Sequence, residues 1–167
     1  MILCKPERNS KNTYCVIFVF SLLGISMWIF SSTFQYLKWV FQLILILSAV
    51  AAIYLIIRYT MTQYVYQLSL TDLIITKTVG NKTTTVCSLD LAESKLLVSK
   101  QAFYEKNMEK DVGYIHNKFN FCQNLNCECY YYIYSFRDKN YLIKFEPNEV
   151  FVRAMKENIG NIKKDKK

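Results

Sequence analysis

Turn-forming residues and charges are both scarce in the first third of this sequence. The chain of 167 residues has four glycines, two prolines and one histidine. From Tyr14 to Ile57 there is no acidic residue and a single basic one, Lys38, near the midpoint. Each half of this stretch is about 20 mainly apolar residues long, which is the length of helix that crosses a bilayer. The missing charge therefore predicts a transmembrane helical hairpin over residues 14–57.

The hairpin is expected to have its two spans at 14–34 and 38–57. One continuous helix over both would extend about 66 Å, far beyond the hydrocarbon thickness of about 30 Å. The polar sequence QYLK between the spans is therefore the predicted turn, although it contains no glycine or proline. Small residues permit close helix packing, and they occur in both spans at Ser21, Gly24, Ser48, Ala49, Ala51 and Ala52.

Basic residues flank the hairpin unevenly, and this predicts its orientation. The net charge of +8 includes +2 from residues 1–13 and +5 from residues 58–167. Basic residues near span ends stay preferentially in the cytoplasm. Both termini are therefore expected there, because Lys5, Arg8, Lys11 and Arg58 lie on one side and only Lys38 on the other. A cleaved signal peptide ending near Ser31–Thr33 is the alternative.

After residue 58 the pattern changes to that of short β-strands. Aromatic and β-branched residues alternate between turn signals such as Gly80-Asn81, as strands prefer. The predicted strands are Tyr64–Ser69, Leu73–Thr78, Lys82–Cys87, Lys95–Ser99, Val112–Phe121, Cys129–Phe136 and Tyr141–Phe145. They predict an antiparallel barrel or sandwich of about seven strands, because a curled sheet avoids open edges.

An amphipathic helix is expected to follow the last strand at 147–159. Pro147 suits the first helical turn, and Gly160 is the expected stop. The predicted organisation is thus a basic leader at 1–13, the hairpin, an α+β domain at 62–160 and a basic tail at 161–167.

Two segments resemble the pleckstrin-homology (PH) superfold. YQLSLTDLIITKTVGNKTTTVCSLDLAE (Tyr66–Glu93) is similar to its opening meander, and YLIKFEPNEVFVRAMKENI (Tyr141–Ile159) to its last strand and closing helix. The resemblance is closest to membrane-anchored bacterial PH-like proteins, in which two transmembrane helices precede one such domain. It implies an interaction or scaffolding module without catalytic residues or a cofactor.

Phosphoinositide binding is not implied by this resemblance. PH domains that bind these lipids place lysine and arginine around the first loop between strands. Here that loop is Ser69–Asp72, which contains no basic residue. Lys77 and Lys82 lie near the next hairpin and do not replace the motif.

The local cysteine cluster Cys122, Cys127 and Cys129 is the main candidate for chemistry among the six cysteines. With His116 it would supply four zinc ligands, but its spacing does not match paired C-x2-C knuckles. A redox or disulfide role and simple packing are the other interpretations. Cys127 and Cys129 share a face of an extended strand, which favours packing.

The sequence therefore predicts a non-catalytic membrane protein whose partners are the lipid bilayer and an unidentified membrane or cytoplasmic protein. Nucleic acid is not an expected partner, because Tyr130–Tyr132 lack interleaved basic residues and suit a core strand. Two alternatives stay open. One is a redox or enzymatic protein that uses the cysteine cluster, and the other is an accessory subunit of a membrane transporter.

Overall fold

The structure is a computed structural model that describes residues 1–9, 11–105 and 107–165, with the backbone alone at Glu109 and Asp165. It contains two N-terminal helices, two four-stranded sheets and a C-terminal helix. The chain divides into a helical unit, Arg8–Thr62, and a second unit formed by Met1–Glu7 with Gln63–Lys167.

The helical unit is a hairpin. Helix α1 (Lys11–Thr33) and helix α2 (Lys38–Leu55) are joined by a 3-10 turn at Gln35–Leu37, which lies at the predicted QYLK turn. A π-helical turn, Ile56–Met61, follows α2. At the closed end the Phe30 and Phe41 rings stack with centroids 5.8 Å apart. Both helices are long and apolar enough to cross a membrane.

The second unit contains all the strands. They are β1 (Ile2–Cys4), β2 (Thr62–Leu68), β3 (Asp72–Val79), β4 (Lys82–Asp90), β5 (Ser94–Ser99), β6 (Ile115–Asn120), β7 (Tyr130–Phe136) and β8 (Lys139–Phe145). The short helices α3 (Lys100–Glu105) and α4 (Glu109–Val112) precede β6, and helix α5 (Glu149–Asp165) follows β8. The first sheet has the order β1-β2-β3-β4 and the second β5-β7-β8-β6.

The N-terminal residues differ from the predicted leader at 1–13. Ile2–Cys4 form a strand that pairs antiparallel with β2, with Ile2 opposite Leu68 and Cys4 opposite Tyr66. Cys4 is buried in the core of the domain, which explains why this short apolar stretch is held there. The domain therefore begins before the hairpin and resumes after it, and the predicted boundary at 62 misses its first strand.

The strand pairing also departs from the predicted all-antiparallel arrangement. β6 runs parallel to β8, with Phe119 opposite Ile143. A parallel neighbour needs a long connection, and here residues 121–129 and β7 supply it. In the first sheet, Val86 is an extra residue in β4, because Ile75 pairs with Cys87 whereas Thr76 pairs with Thr85.

The core is aromatic and is centred on Tyr66. Its fully buried ring meets Phe145 edge-on with centroids 5.4 Å apart and lies 6.3 Å from the ring of Phe151. β2 alternates buried and half-buried positions along its whole length, as expected for a strand with one face on a core. Met155 is also fully buried, so α5 covers this cluster.

Helix α5 continues past Gly160, where the sequence predicted its end. Its N-terminus is capped by Asn148, whose Oδ1 accepts a hydrogen bond from Phe151 N at 2.9 Å. Ile159 and Ile162 pack against the core, and this contact extends the helix through the glycine. The predicted tail at 161–167 is therefore helical as far as Asp165, and residues 166–167 lie outside the described part of the chain.

Replacing Gly160 by alanine is expected to raise the free energy of unfolding by about 0.5–1 kcal/mol, because glycine is a poor helix former. A methyl group there would meet no atom within 4 Å. The measurement is the thermal unfolding midpoint in detergent. The control is Gly80→Ala, which should lower stability by about 1 kcal/mol, because Gly80 has φ +58°. Equal effects of the two substitutions would contradict this account.

Candidate functional site

The segment between β6 and β7 contacts both pieces of the second unit, close to the points where the helical hairpin interrupts it. Asn124 Nδ2 donates to Glu7 O at 2.8 Å and to Glu146 Oε1 at 2.7 Å, and its backbone N donates to Glu146 Oε2 at 3.2 Å. Next to it, Gln123 Oε1 accepts a hydrogen bond from Tyr64 N at 3.0 Å. These bonds tie residues 123–124 to β2, to the end of β8 and to the N-terminal segment.

The Tyr66 hydroxyl also links the β6–β7 segment to the residue that follows β8. This hydroxyl donates to Phe121 O at 2.9 Å and accepts a hydrogen bond from Glu146 N at 3.2 Å. Burial raises the pKa of this phenol well above its usual value, although the bond from Glu146 N opposes the shift. The neutral hydroxyl therefore acts as a structural link at every physiological pH.

The structure brings the three cysteines of this segment together. Side-chain hydrogen bonds join each pair among Cys122, Cys127 and Cys129. Cys122 and Cys129 are 1% and 3% exposed, and Cys127 is half-buried. The cluster is held at both ends, because Cys122 N donates to Asn120 Oδ1 at 3.1 Å and Cys129 O accepts from Lys100 N at 2.8 Å. We call these residues the thiol cluster.

The three thiols have unlike acidities. Hydrogen bonds from Cys122 and then Cys127, with the nearby charges of Lys144 and Lys100, hold the pKa of Cys129 well below its usual value. The pKa of Cys122 is raised by its bonds to Cys127 and Cys129 and by burial. For Cys127 the bond to Cys122 lowers the pKa, but the bond to Cys129 and burial outweigh it, giving about 12. Cys129 is thus the thiol of the cluster whose ionised form is most favoured.

A cavity of about 390 Å³ opens beside the thiol cluster. Cys127 and Cys129 form part of its wall, together with the ends of β5 and β7 and the first turn of α3. The remaining lining residues are Ser99, Lys100, Gln101, Tyr104, Glu128 and Tyr130. The cavity therefore lies beside Cys127 and Cys129, whereas Cys122 is not part of its wall.

His116 does not join the cysteines as the sequence suggested for a zinc site. It lies exposed on β6, where its ring meets Tyr141 edge-on with centroids 5.7 Å apart. Within the described ranges, no three histidine, cysteine, aspartate or glutamate side chains are arranged as ligands of one metal ion. All six cysteines are free thiols.

The small residues of the hairpin lie at the contact between α1 and α2. A Cβ added at Gly24 would be 3.6 Å from Ser48 Oγ, and Ser48 is buried. A groove of about 390 Å³ there includes Ser21 and Ala52 in its wall. Ser21 and Ser48 donate their hydroxyls to carbonyls of their own helices at 3.0 and 2.8 Å, so neither needs water.

The basic residues used for the orientation lie at the two ends of the hairpin. Lys11 begins α1 and Lys38 begins α2. Arg8 Nη2 donates to Thr62 O at 3.3 Å, which joins the open ends of the hairpin. The Arg58 guanidinium lies over the Tyr59 ring at 5.1 Å. Lys5 is exposed.

Strand β4 forms an open edge of the first sheet. Its residues 82–86 are all exposed, and no charged side chain occurs from Thr83 to Leu89. Natural edge strands are commonly protected by charge, proline or a bulge. Here the protection consists of a charged residue at each end, Lys82 and Asp90, and of the extra residue Val86 between them.

The spacing of residues along the sequence could not identify several residues that neighbour the thiol cluster. Lys100, Lys144 and Glu146 are distant in sequence from Cys122 or Cys127, and the fold brings them to the cluster. The sequence LNCEC gave a signal for the cysteines, whereas Asn124 sits in a stretch that resembles an ordinary polar loop.

Asn124→Ala is expected to lower the free energy of unfolding by about 1–3 kcal/mol, because it removes the side-chain donor of Glu146 Oε1 and of the Glu7 carbonyl. Thermal unfolding and limited proteolysis of the N-terminal segment measure the effect. Asn117→Ala is the control, since Asn117 is exposed on β6; it should change stability by less than about 0.5 kcal/mol. A loss that is equal in both variants would show that the Asn124 bonds contribute nothing specific.

Comparisons with known proteins agree with this architecture. Residues 2–163 match the family described as "Bacterial PH-like domain (DUF6106)". The matched range includes both β1 and the helical hairpin, so the hairpin lies within the family pattern. No curated protein and no solved structure gives a significant match. Since the family match covers nearly the whole chain, this protein belongs to the bacterial PH-like domain family.

Proposed function

We propose that this protein is held in the bacterial cell membrane by its helical hairpin and presents its PH-like domain as a non-catalytic interaction module. The observation that carries the proposal is the exposed apolar surface of α1 and α2. Only 6% of the residues in the most apolar stretch of each helix are buried. The exposed side chains include Phe18, Trp28, Trp39, Ile46, Leu47, Val50 and Tyr54.

A bilayer accounts for this surface better than water does. Soluble proteins rarely expose contiguous apolar patches of more than a few hundred Å², and here two helices are apolar around most of their circumference. The hairpin serines bond to their own helix carbonyls, which removes donors that hydrocarbon could not satisfy. The continuous helical segments Lys11–Thr33 and Gln35–Met61 have 23 and 27 residues. The second includes the 3-10 and π-helical turns that flank α2. Both segments exceed the length needed to cross a bilayer.

The connectivity supports an even number of crossings. β1 precedes the hairpin and β2 follows it, and the two strands pair in one sheet. Both ends of the hairpin must therefore lie on the same side of the membrane. The positive-inside rule assigns that side to the cytoplasm, because Lys11 and Arg58 lie at the open end and Lys38 at the closed end.

The surface we propose for a protein partner is the open edge of β4. An edge strand offers unpaired backbone N–H and C=O groups to an extended segment of another chain. The uncharged exposed run that begins at Thr83 suits such pairing, because an approaching strand meets no buried charge. Confinement to the membrane raises the effective concentration of the domain toward other membrane components.

A cytoplasm-dependent fluorescent reporter fused after Lys167 is expected to fluoresce, and a reporter that is active only outside should work when it is fused at Lys38. Extraction at alkaline pH should leave the full chain in the membrane fraction, because two spans anchor it. The control is a chain without residues 8–61, in which a short glycine-serine linker replaces the hairpin; this chain should be extracted. An external signal from Lys167 would overturn the topology.

A photoreactive side chain at Thr85 is expected to give a defined cross-linked adduct in membranes, and the same group at Leu70 should give none. Leu70 is 81% exposed and lies in the reversal between β2 and β3, away from the edge. Val86→Lys in the Thr85 chain should weaken the adduct about tenfold, a loss of about 1.4 kcal/mol, because an edge charge opposes strand pairing. Adducts that form equally from both positions, or that ignore Val86→Lys, would exclude the β4 edge.

A further inference from the structure

The thiol cluster has a geometry that packing alone does not require. Three sulfur atoms within hydrogen-bonding reach of one another come from a single loop of eight residues, Cys122 to Cys129. Two backbone bonds, from Cys122 N and to Cys129 O, fix the ends of that loop. A disulfide needs two sulfur atoms about 2.05 Å apart, so a movement of the loop must bring a pair of these thiols into bonding distance.

The cluster is also reachable from solvent. Cys129 is nearly buried, yet its side of the loop forms part of the wall of the 390 Å³ cavity. A water molecule takes about 30 Å³ in the liquid, so hydrogen peroxide and small organic hydroperoxides fit within this space. Lys100 also lies in the wall, and its charge favours an anionic sulfur at that point.

Cys129 differs in role from Cys122 and Cys127. Cys129 accepts hydrogen bonds from Cys122 and Cys127 and has the charges of Lys144 and Lys100 near it. These contacts hold the pKa of Cys129 well below its usual value and raise the pKa values of Cys122 and Cys127, so Cys129 is the thiol of the cluster that ionises most readily. A reactive thiolate beside a protonated thiol is the arrangement of an attacking and a resolving cysteine.

We propose that the thiol cluster is an oxidation site for hydroperoxides, at which Cys129 is oxidised first and Cys122 then closes a disulfide with it. The Cys129 thiolate attacks the distal oxygen of ROOH, and the O–O bond breaks. Cys129 becomes a sulfenic acid, and the leaving alkoxide takes a proton to give ROH. The Cys122 sulfur next attacks the Cys129 sulfur and forms the S–S bond. The S–O bond of the sulfenic acid breaks, and the leaving hydroxide takes the Cys122 proton to give water.

The overall change consumes two thiols and one hydroperoxide and yields one disulfide, ROH and water. Cys122 is assigned as the resolving residue on chain spacing, since six residues separate it from Cys129 and leave the loop free to close the ring. A disulfide between Cys127 and Cys129 would close a tighter ring, across one intervening residue. This modification goes beyond the proposed interaction function and does not depend on it.

The test uses the purified full chain in detergent, treated with hydrogen peroxide and then mapped by peptide mass spectrometry. The expected product is one peptide pair linked through Cys122 and Cys129, with the loss of two hydrogens. Between pH 5 and 8 the rate of Cys129 oxidation should rise less steeply with pH than the rate of Cys87 oxidation, because the pKa of Cys129 is lowered. Cys87 is the internal control: burial raises its pKa to about 11, so its rate should rise about tenfold for each pH unit.

Variants separate the two roles. In Cys122→Ser, oxidation should stop at the sulfenic acid of Cys129, which dimedone traps. Cys127→Ser should still form the disulfide, and Cys129→Ser should lose the fast reaction. Thermal unfolding midpoints of all three variants test whether they fold. The pH dependence of Cys129 and Cys87 oxidation in the unsubstituted chain tests the proposal without any variant.

Three outcomes would overturn the proposal. One is a rate at Cys129 that rises with pH as the rate at Cys87 does. Another is fast oxidation that persists in Cys129→Ser. The third is a purified protein in which a bound metal ion holds the three thiols, shown by metal analysis and by thiols that react only after chelation.

Discussion

Three residues of backbone pairing, between Ile2–Cys4 and Tyr66–Leu68, govern the organisation of this protein. They bring together two parts of the chain that the helical hairpin separates. The pairing places Cys4 in the core, and Asn148 N donates to its sulfur at 3.4 Å. Asn124 adds a second link, to the carbonyl of Glu7. The PH-like domain is therefore discontinuous in sequence, with the hairpin inserted after its first strand.

Most strands could be predicted because their signals are local. The alternation from Tyr64, the turn at Gly80 and the aromatic run at Tyr130–Phe136 are patterns of neighbouring residues, and the structure has strands at these places. β1 has three residues and no turn signal, so only its distant partner identifies it. The parallel pairing of β6 with β8 and the continuation of α5 past Gly160 likewise depend on tertiary contacts, which local sequence does not encode.

The candidate site likewise has features that local sequence predicts and features that only tertiary contacts determine. The spacing of Cys122, Cys127 and Cys129 identified a cluster, but not which sulfur carries the charge. Hydrogen bonds from Cys122 and Cys127 are the main causes that lower the pKa of Cys129, and the charges of Lys144 in β8 and Lys100 in α3 add to them. His116 is near the cluster in sequence, and yet β6 turns it toward Tyr141. Sequence distance was therefore a poor guide to which basic groups neighbour the thiols.

The discontinuous domain has a consequence for biogenesis. The ribosome makes β1 first, but its partner β2 appears only after both helices have been made. Under the proposed topology, the sheet can close only when the second helix has crossed back, since otherwise β1 and β2 would lie on opposite sides of the membrane. A chain that inserts one helix alone would leave Cys4 and Tyr66 unpaired and its domain unfinished. Under that topology, completion of the fold requires that both helices have been inserted.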